Sequence, residues 1–168
     1  MHPVTLYIAS SFRHVHGVRL LSRELRRLGY EVFDWTEEAT PPEGLSVAER
    51  RIWMDTDHGG EVFGFCAMAC RTADLVVYMG ASGQDAGVEV GMARASGVPI
   101  LGVRGPLESP GLMLYGAVDA WVESIDLALA ILAEIPAALE RSNPGTAQEK
   151  RQAAVRELLR KATASGVR

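Results

Sequence analysis

Glu89 is the side chain around which this sequence is best able to do chemistry. It stands in the run Gly83-Gln84-Asp85-Ala86-Gly87-Val88-Glu89-Val90-Gly91-Met92-Ala93, just after an apolar stretch that reads as a strand. A glycine turn leaves that strand, and a helix is expected over Gly87 to Ser96, closed by Gly97. Glu89 then falls in the first helical turn, where the positive end of the helix dipole favours an ionised carboxylate. Gly87 and Gly91 flank it and leave room for a ligand close to the backbone. A glutamate also suits a first helical turn with no chemistry attached. As a reactive group it would serve as a nucleophile that forms a covalent intermediate.

Further candidates cluster at the ends of other expected strands. Tyr7, in the carboxyl half of the first strand, is placed to hydrogen-bond Glu89 and hold its rotamer, or simply to fill the core. Ser10, Ser11, Arg13 and Ser82 are small donors and one cation at loop–helix junctions, a composition that suits a phosphate as well as helix capping. Cys66 and Cys70 lie four apart with no further cysteine in the chain, so they read as core residues and no metal site is expected. Asp55, Asp57 and His58 precede a Gly-Gly pair and form a candidate lid or substrate loop, and Trp35 and Trp53 are candidates for stacking or for the core. Neither a Gly-x-x-x-x-Gly-Lys run nor a Gly-x-Gly-x-x-Gly run is present, which argues against ATPase and dehydrogenase chemistry and for no cofactor.

The elements that must position these groups alternate. Short apolar runs at 4–9, 30–35, 73–79, 98–103 and 120–122 read as five strands. A stripe of Val18, Leu21, Leu25 and Leu28 marks the first helix. Ser46 to Cys70 reads as helical in two parts, broken near His58-Gly59-Gly60, and residues 104–111 form a Gly/Pro loop. Helices are also expected over Ile125 to Leu139 and Ala147 to Ala164. Such alternation predicts a flavodoxin-like α/β fold, a doubly wound parallel five-stranded sheet with helices on both faces. Ligands of such folds bind beyond the carboxyl ends of the strands, which selects loops 9–13, 34–46, 79–89 and 103–119.

The bulk properties agree. The chain has 168 residues, 48% apolar and 23% charged, the composition of an ordinary globular domain. No run is long enough to span a bilayer and no export signal is seen, so a cytoplasmic location with no membrane partner is expected. The net charge of −4 argues against nucleic-acid binding. Residues 141–168 hold seven Lys/Arg against two Glu, which suggests a domain over 1–140 and a basic, solvated helical extension over 141–168. Loop 104–119 is rich in Gly and Pro yet holds Leu107, Leu112, Met113, Leu114 and Tyr115, an apolar loop that a partner subunit would cover.

Several motifs, in order, resemble the nucleoside 2-deoxyribosyltransferase family and its deoxynucleotide-hydrolysing relatives. Glu89-Val90-Gly91-Met92-Ala93 is similar to the family's glutamate segment. Tyr7-Ile8-Ala9-Ser10-Ser11-Phe12, Ala73-Asp74-Leu75-Val76-Val77, Gly97-Val98-Pro99-Ile100 and Leu112 to Asp119 resemble its other segments, over about residues 4–135. The chain departs from the pattern at Ser10-Ser11, in its short Asp85-to-Glu89 spacing, and at Asp119-Ala120.

The resemblance implies cleavage or transfer of the N-glycosidic bond of a 2′-deoxynucleoside or its 5′-monophosphate. The sugar passes through an oxocarbenium-like state and Glu89 forms a glycosyl-enzyme ester. It further implies that Asp74 acts near the base and that Ser10, Ser11, Phe12, Arg13, Ser82, Asp85, Gly87 and Asp119 bind substrate. It implies too that the segment ending at Asp119 reaches a neighbouring subunit's site in a homodimer or larger oligomer. A TIR-like NAD nucleosidase and a non-catalytic nucleotide-binding module are the alternative expectations.

Overall fold

The structure, a computed structural model, describes residues 3–38, 44–142 and 147–164. Five strands, β1 (Val4–Ala9), β2 (Tyr30–Phe33), β3 (Leu75–Met79), β4 (Ile100–Val103) and β5 (Ala120–Val122), form one sheet in the order β2-β1-β3-β4-β5. All four pairings are parallel. β3, at the centre, is buried along its whole length, which is why its sequence is a continuous apolar run.

The register assigns the two faces. Tyr7 pairs with Val76, Tyr78 with Gly102, and Gly102 with Trp121, so these residues project to one side. That side is covered by α4 (Asp57–Thr72), α5 (Gln84–Ala95) and α6 (Leu112–Ala117), which touch one another in that sequence. The other side carries α1 (Val15–Arg27) and α7 (Ile125–Ser142); Tyr30 on that side donates its hydroxyl to the Leu132 carbonyl of α7 at 2.8 Å. Gly102 has a steric reason to be glycine. The Trp121 ring lies across it, and a Cβ there would meet ring carbons at 2.5 Å.

The expected fold class therefore stands, with local corrections. The helical break falls between α3 (Val47–Met54) and α4, where Thr56 caps α4 through the Gly59 amide, so Gly59-Gly60 lies inside the helix. Trp35 leaves β2 and opens a short helix, α2 (Trp35–Glu38). The apolar stretch expected as a loop holds α6. Residues 39–43 and the Asn143-Pro144-Gly145 break lie outside the described residues.

The last helix, α8 (Gln148–Ala164), is not simply a solvated extension. Val155 and Leu159 are fully buried in the common core, and α8 packs on α7 and β5. It also crosses the amino edge of the sheet. Arg151 donates to the Pro3 carbonyl at 2.8 Å, Gln152 to the Ala73 carbonyl at 2.8 Å and Arg156 to the Gly97 carbonyl at 2.7 Å.

Candidate active site

The residues with chemical potential divide between the two edges of the sheet. At the carboxyl side, α5 begins at Gln84, three residues earlier than its sequence suggests, because the Gly83 N-cap sits immediately after the turn. Glu89 is consequently in the second helical turn, not the first. The helix terminus contributes little there, because its field fades within the first turn. Burial acts instead. It pushes the Glu89 carboxyl up to about 7, opposed by a hydrogen bond from Tyr7 and aided slightly by the nearby Asp85 charge.

Tyr7 comes from the middle of β1, is fully buried, and donates its hydroxyl to Glu89 Oε1 at 2.6 Å. Burial first, and the Glu89 charge second, hold the phenol far above its usual range, so it stays a donor at any working pH. Glu89 Oε2 is buried with no hydrogen-bond partner among the described residues. One carboxylate oxygen is thus fixed by the fold and the other is not. No cation pairs with Glu89 among the described residues. Cys66, on α4, borders the Tyr7–Glu89 pair, and burial raises its thiol to about 11 and keeps it neutral. A Cβ at Gly87 or Gly91 would meet nothing within 4 Å, so the space beside Glu89 on its helix is open.

The serines converge as their sequence positions imply. Ser82 Oγ accepts from the Ser11 amide at 3.1 Å, lies 3.2 Å from Ser10 Oγ, and donates to the Met79 carbonyl at 2.5 Å. Ser11 caps a 3-10 turn over Phe12–His14 by accepting from the Arg13 amide at 3.2 Å. His14 Nε2 contacts the Ala81 carbonyl at 2.8 Å and ties this turn to the one after β3. Arg13 is exposed beside the serines and makes no ion pair among the described residues. Phe12 is half exposed and packs edge-on against Trp35, 4.9 Å between centroids. Trp35 itself is a core residue whose indole donates to the Ile8 carbonyl at 2.9 Å. Asp85 is exposed in the first turn of α5.

Two expected site residues lie elsewhere. Asp74 is at the amino edge, where its Oδ2 accepts from the Thr5 amide at 2.9 Å, the Thr5 hydroxyl at 3.0 Å and Arg151 at 2.7 Å. Asp119 also precedes its strand, and its carboxylate accepts from the Ile100 amide at 2.9 Å, Arg156 at 3.1 Å and Arg94 at 3.3 Å. Both carboxylates are almost fully buried, held by arginines and backbone amides at the amino edge, the opposite edge of the sheet from Glu89 and the serines. Two residues that sequence reading passed over, Tyr78 and Glu108, form a second phenol–carboxylate pair at the carboxyl edge, 2.5 Å apart. The available signal was parity, since Tyr78 shares the face of Tyr7.

The sheet order and the carboxyl-edge site define a flavodoxin-like α/β protein. Among solved structures, the chain is similar to a 2-deoxyribosyltransferase of Bacillus psychrosaccharolyticus, with a TM-score of 0.54 and 21% identity over 77% of this chain and 96% of that one. It is similar also to the CMP N-glycosidase BcmB of Clostridium botulinum, with a TM-score of 0.50 and 15% identity over 76% of this chain and 97% of that one. At these identities the likeness is one of fold. No protein-family profile and no curated protein sequence matches the chain. No helix of the described residues is long and apolar enough to cross a membrane, and no group of three or more potential metal ligands occurs among them.

Proposed function

We propose that the protein breaks the N-glycosidic bond of a nucleoside or nucleoside 5′-monophosphate, with Glu89 as the nucleophile. The observation that carries this reading is the Tyr7–Glu89 pair. A buried carboxylate has one oxygen anchored at 2.6 Å and, among the described residues, no partner for the other and no neutralising cation. The two similar structures, one described as a deoxyribosyltransferase and one as a CMP N-glycosidase, support the same reaction class.

In the proposed reaction Glu89 Oε2 attacks the anomeric carbon as the base departs with the bonding electron pair. The resulting glycosyl ester is then opened by water or by a second base. Tyr7 keeps Glu89 in its rotamer and stabilises its charge before attack. Ser10, Ser11 and Ser82, with Arg13 at the rim, receive the 5′-phosphate of a nucleotide.

We also infer a homo-oligomer. Leu112, Met113 and Tyr115 on α6, Leu107 in the loop before it and Val88 on the adjoining α5 are all exposed, and a second copy of the chain would cover these apolar side chains.

The deciding experiment is product analysis after incubation with nucleosides, deoxynucleosides and their 5′-monophosphates, with and without a free base. Release of free base from any of these by the wild type, and its loss in Glu89→Gln, is the expected outcome. If no base is released from any of them, or if release persists in Glu89→Gln, the reading fails.

A further inference from the structure

The second phenol–carboxylate pair stands one strand across from the first and two residues nearer the carboxyl edge. Its connections differ from those of Tyr7–Glu89. Tyr78 is buried, donates to Glu108 Oε1 at 2.5 Å, and accepts from the Ser82 amide at 3.3 Å. Glu108 Oε2 accepts from the Gly105 amide at 3.1 Å. Both carboxylate oxygens are therefore engaged, which removes Glu108 from the nucleophile's role.

The glycines around it show that the arrangement is built into the backbone. A Cβ at Gly80 would lie 1.7 Å from Glu108 Oε2, so the carboxylate occupies the room that this glycine leaves. A Cβ at Gly105 would lie 2.4 Å from the Ala81 nitrogen, so the turns after β3 and β4 are pressed together backbone to backbone. From Tyr78 the chain of contacts runs through Ser82 to the Ser11 amide and to Ser10 Oγ. One carboxylate on the β4–α6 loop thus reaches the turn after β3 directly, and the turn after β1 through a single serine.

We propose that Glu108 is a positioning residue that, through Tyr78, holds Ser82, Ser10 and Ser11 in the geometry that receives the substrate's 5′-phosphate. The phosphate part of this inference rests on the function proposed above. A carboxylate suits the task because it offers acceptors to two donors arriving from different segments, the Tyr78 hydroxyl and the Gly105 amide. A glutamine offers one accepting oxygen, and its NH2 group would face a donor. Tyr78→Phe breaks the same connection from the other side while keeping the ring that packs edge-on against Trp121, 5.9 Å between centroids.

The test compares Glu108→Gln and Tyr78→Phe with the wild type in two measurements. The first is amide hydrogen exchange in the free protein. Exchange at Ser11 and Ser82 is expected to quicken by about tenfold, with the Val90 and Ala93 amides inside α5 unchanged. The second is steady-state kinetics on a nucleoside that the wild type cleaves and on the 5′-monophosphate of that same nucleoside. KM for the monophosphate is expected to rise by about tenfold, with kcat and the KM for the nucleoside moving far less. Unaltered exchange at Ser11 and Ser82 in Tyr78→Phe overturns the clamp. A parallel rise of KM for both substrate types, or a collapse of kcat, overturns its link to phosphate. A wild type that turns over no nucleoside and no 5′-monophosphate sinks the functional reading, and the exchange measurement still decides whether Glu108 orders the serines.

Discussion

Asp74 and Asp119 at the amino edge of the sheet and Glu89 and Glu108 at its carboxyl edge are treated by the fold in opposite ways. At the amino edge Asp74 faces Arg151 and Asp119 faces Arg156 and Arg94, and both accept backbone amides as well. At the carboxyl edge Glu89 and Glu108 have no cation among the described residues, and each is held by a tyrosine hydroxyl. A phenol positions a carboxylate without neutralising it, whereas an arginine satisfies it. Asp74 and Asp119 are paired with charge; of the two carboxylates held by a phenol, Glu108 has both oxygens engaged and Glu89 keeps one without a partner among the described residues.

The sharpest way to break this comparison is at Glu89. Glu89→Ala is expected to lower kcat by a factor of about a thousand or more while the protein stays folded. A variant keeping more than about a tenth of wild-type kcat would show that the unshared oxygen does no chemistry.

The amino edge should answer in stability instead. Asp74→Ala leaves Arg151 beside an emptied site and is expected to cost about 3–5 kcal/mol in denaturant unfolding. Activity per folded molecule should persist. A stable but inactive Asp74→Ala protein would return this residue to the catalytic set.

Tyr7→Phe is expected to lower kcat by roughly 10–100-fold, the worth of a hydrogen bond to a charged group. Because that bond holds the Glu89 carboxyl down, its loss should also move the rising limb of the pH profile upward from about 7. The limb rises with pH because the nucleophile must be ionised. A limb that stays in place would mean another group titrates there.

A smaller effect tests the burial of Glu89. Its folded value of about 7 lies above the ordinary 4.5, so its contribution to stability is complete below 4.5 and is lost as pH rises through 7. Glu89→Gln escapes that loss. It should be more stable than the wild type at pH 8, by on the order of 1–3 kcal/mol, and nearly equal to it at pH 4. Equal stability of the two at pH 8 would argue that Glu89 is well hydrated.

Smallest in stability, Met113→Glu on the exposed face of α6 should shift unfolding by less than about 0.5 kcal/mol. It should nevertheless lower the mass seen by light scattering if α6 meets a second copy. An unchanged mass would leave the apolar face unexplained.

The sequence made the strands and the Tyr7–Glu89 pairing legible, because a five-residue apolar run bounded by turns admits few readings and because Tyr7 sits at the proper parity. It misplaced α5 by three residues, since Gly83 and Gly87 are both plausible starts and only packing chooses between them. The arginine partners of Asp74 and Asp119 are not legible in the sequence, for a physical reason. Whether a buried aspartate meets a substrate or an arginine depends on α8, far away in the chain and read from sequence as solvated. Glu108 was passed over because nothing in a Gly/Pro loop shows that Gly80, more than twenty residues earlier, leaves space for its carboxylate.

The manner in which α8 crosses the amino edge bears on how the protein is made. All five strands precede Arg151 and Arg156 in the chain, so every strand of a growing polypeptide is made before these two partners of Asp74 and Asp119 exist. Until the last helix emerges, closing the sheet would bury Asp74 without its cation and leave Asp119 with Arg94 alone, a penalty that opposes closure. The contacts that close the amino edge thus become available only after all five strands have been made, so the order of the chain puts this edge among the last parts of the domain to be completed.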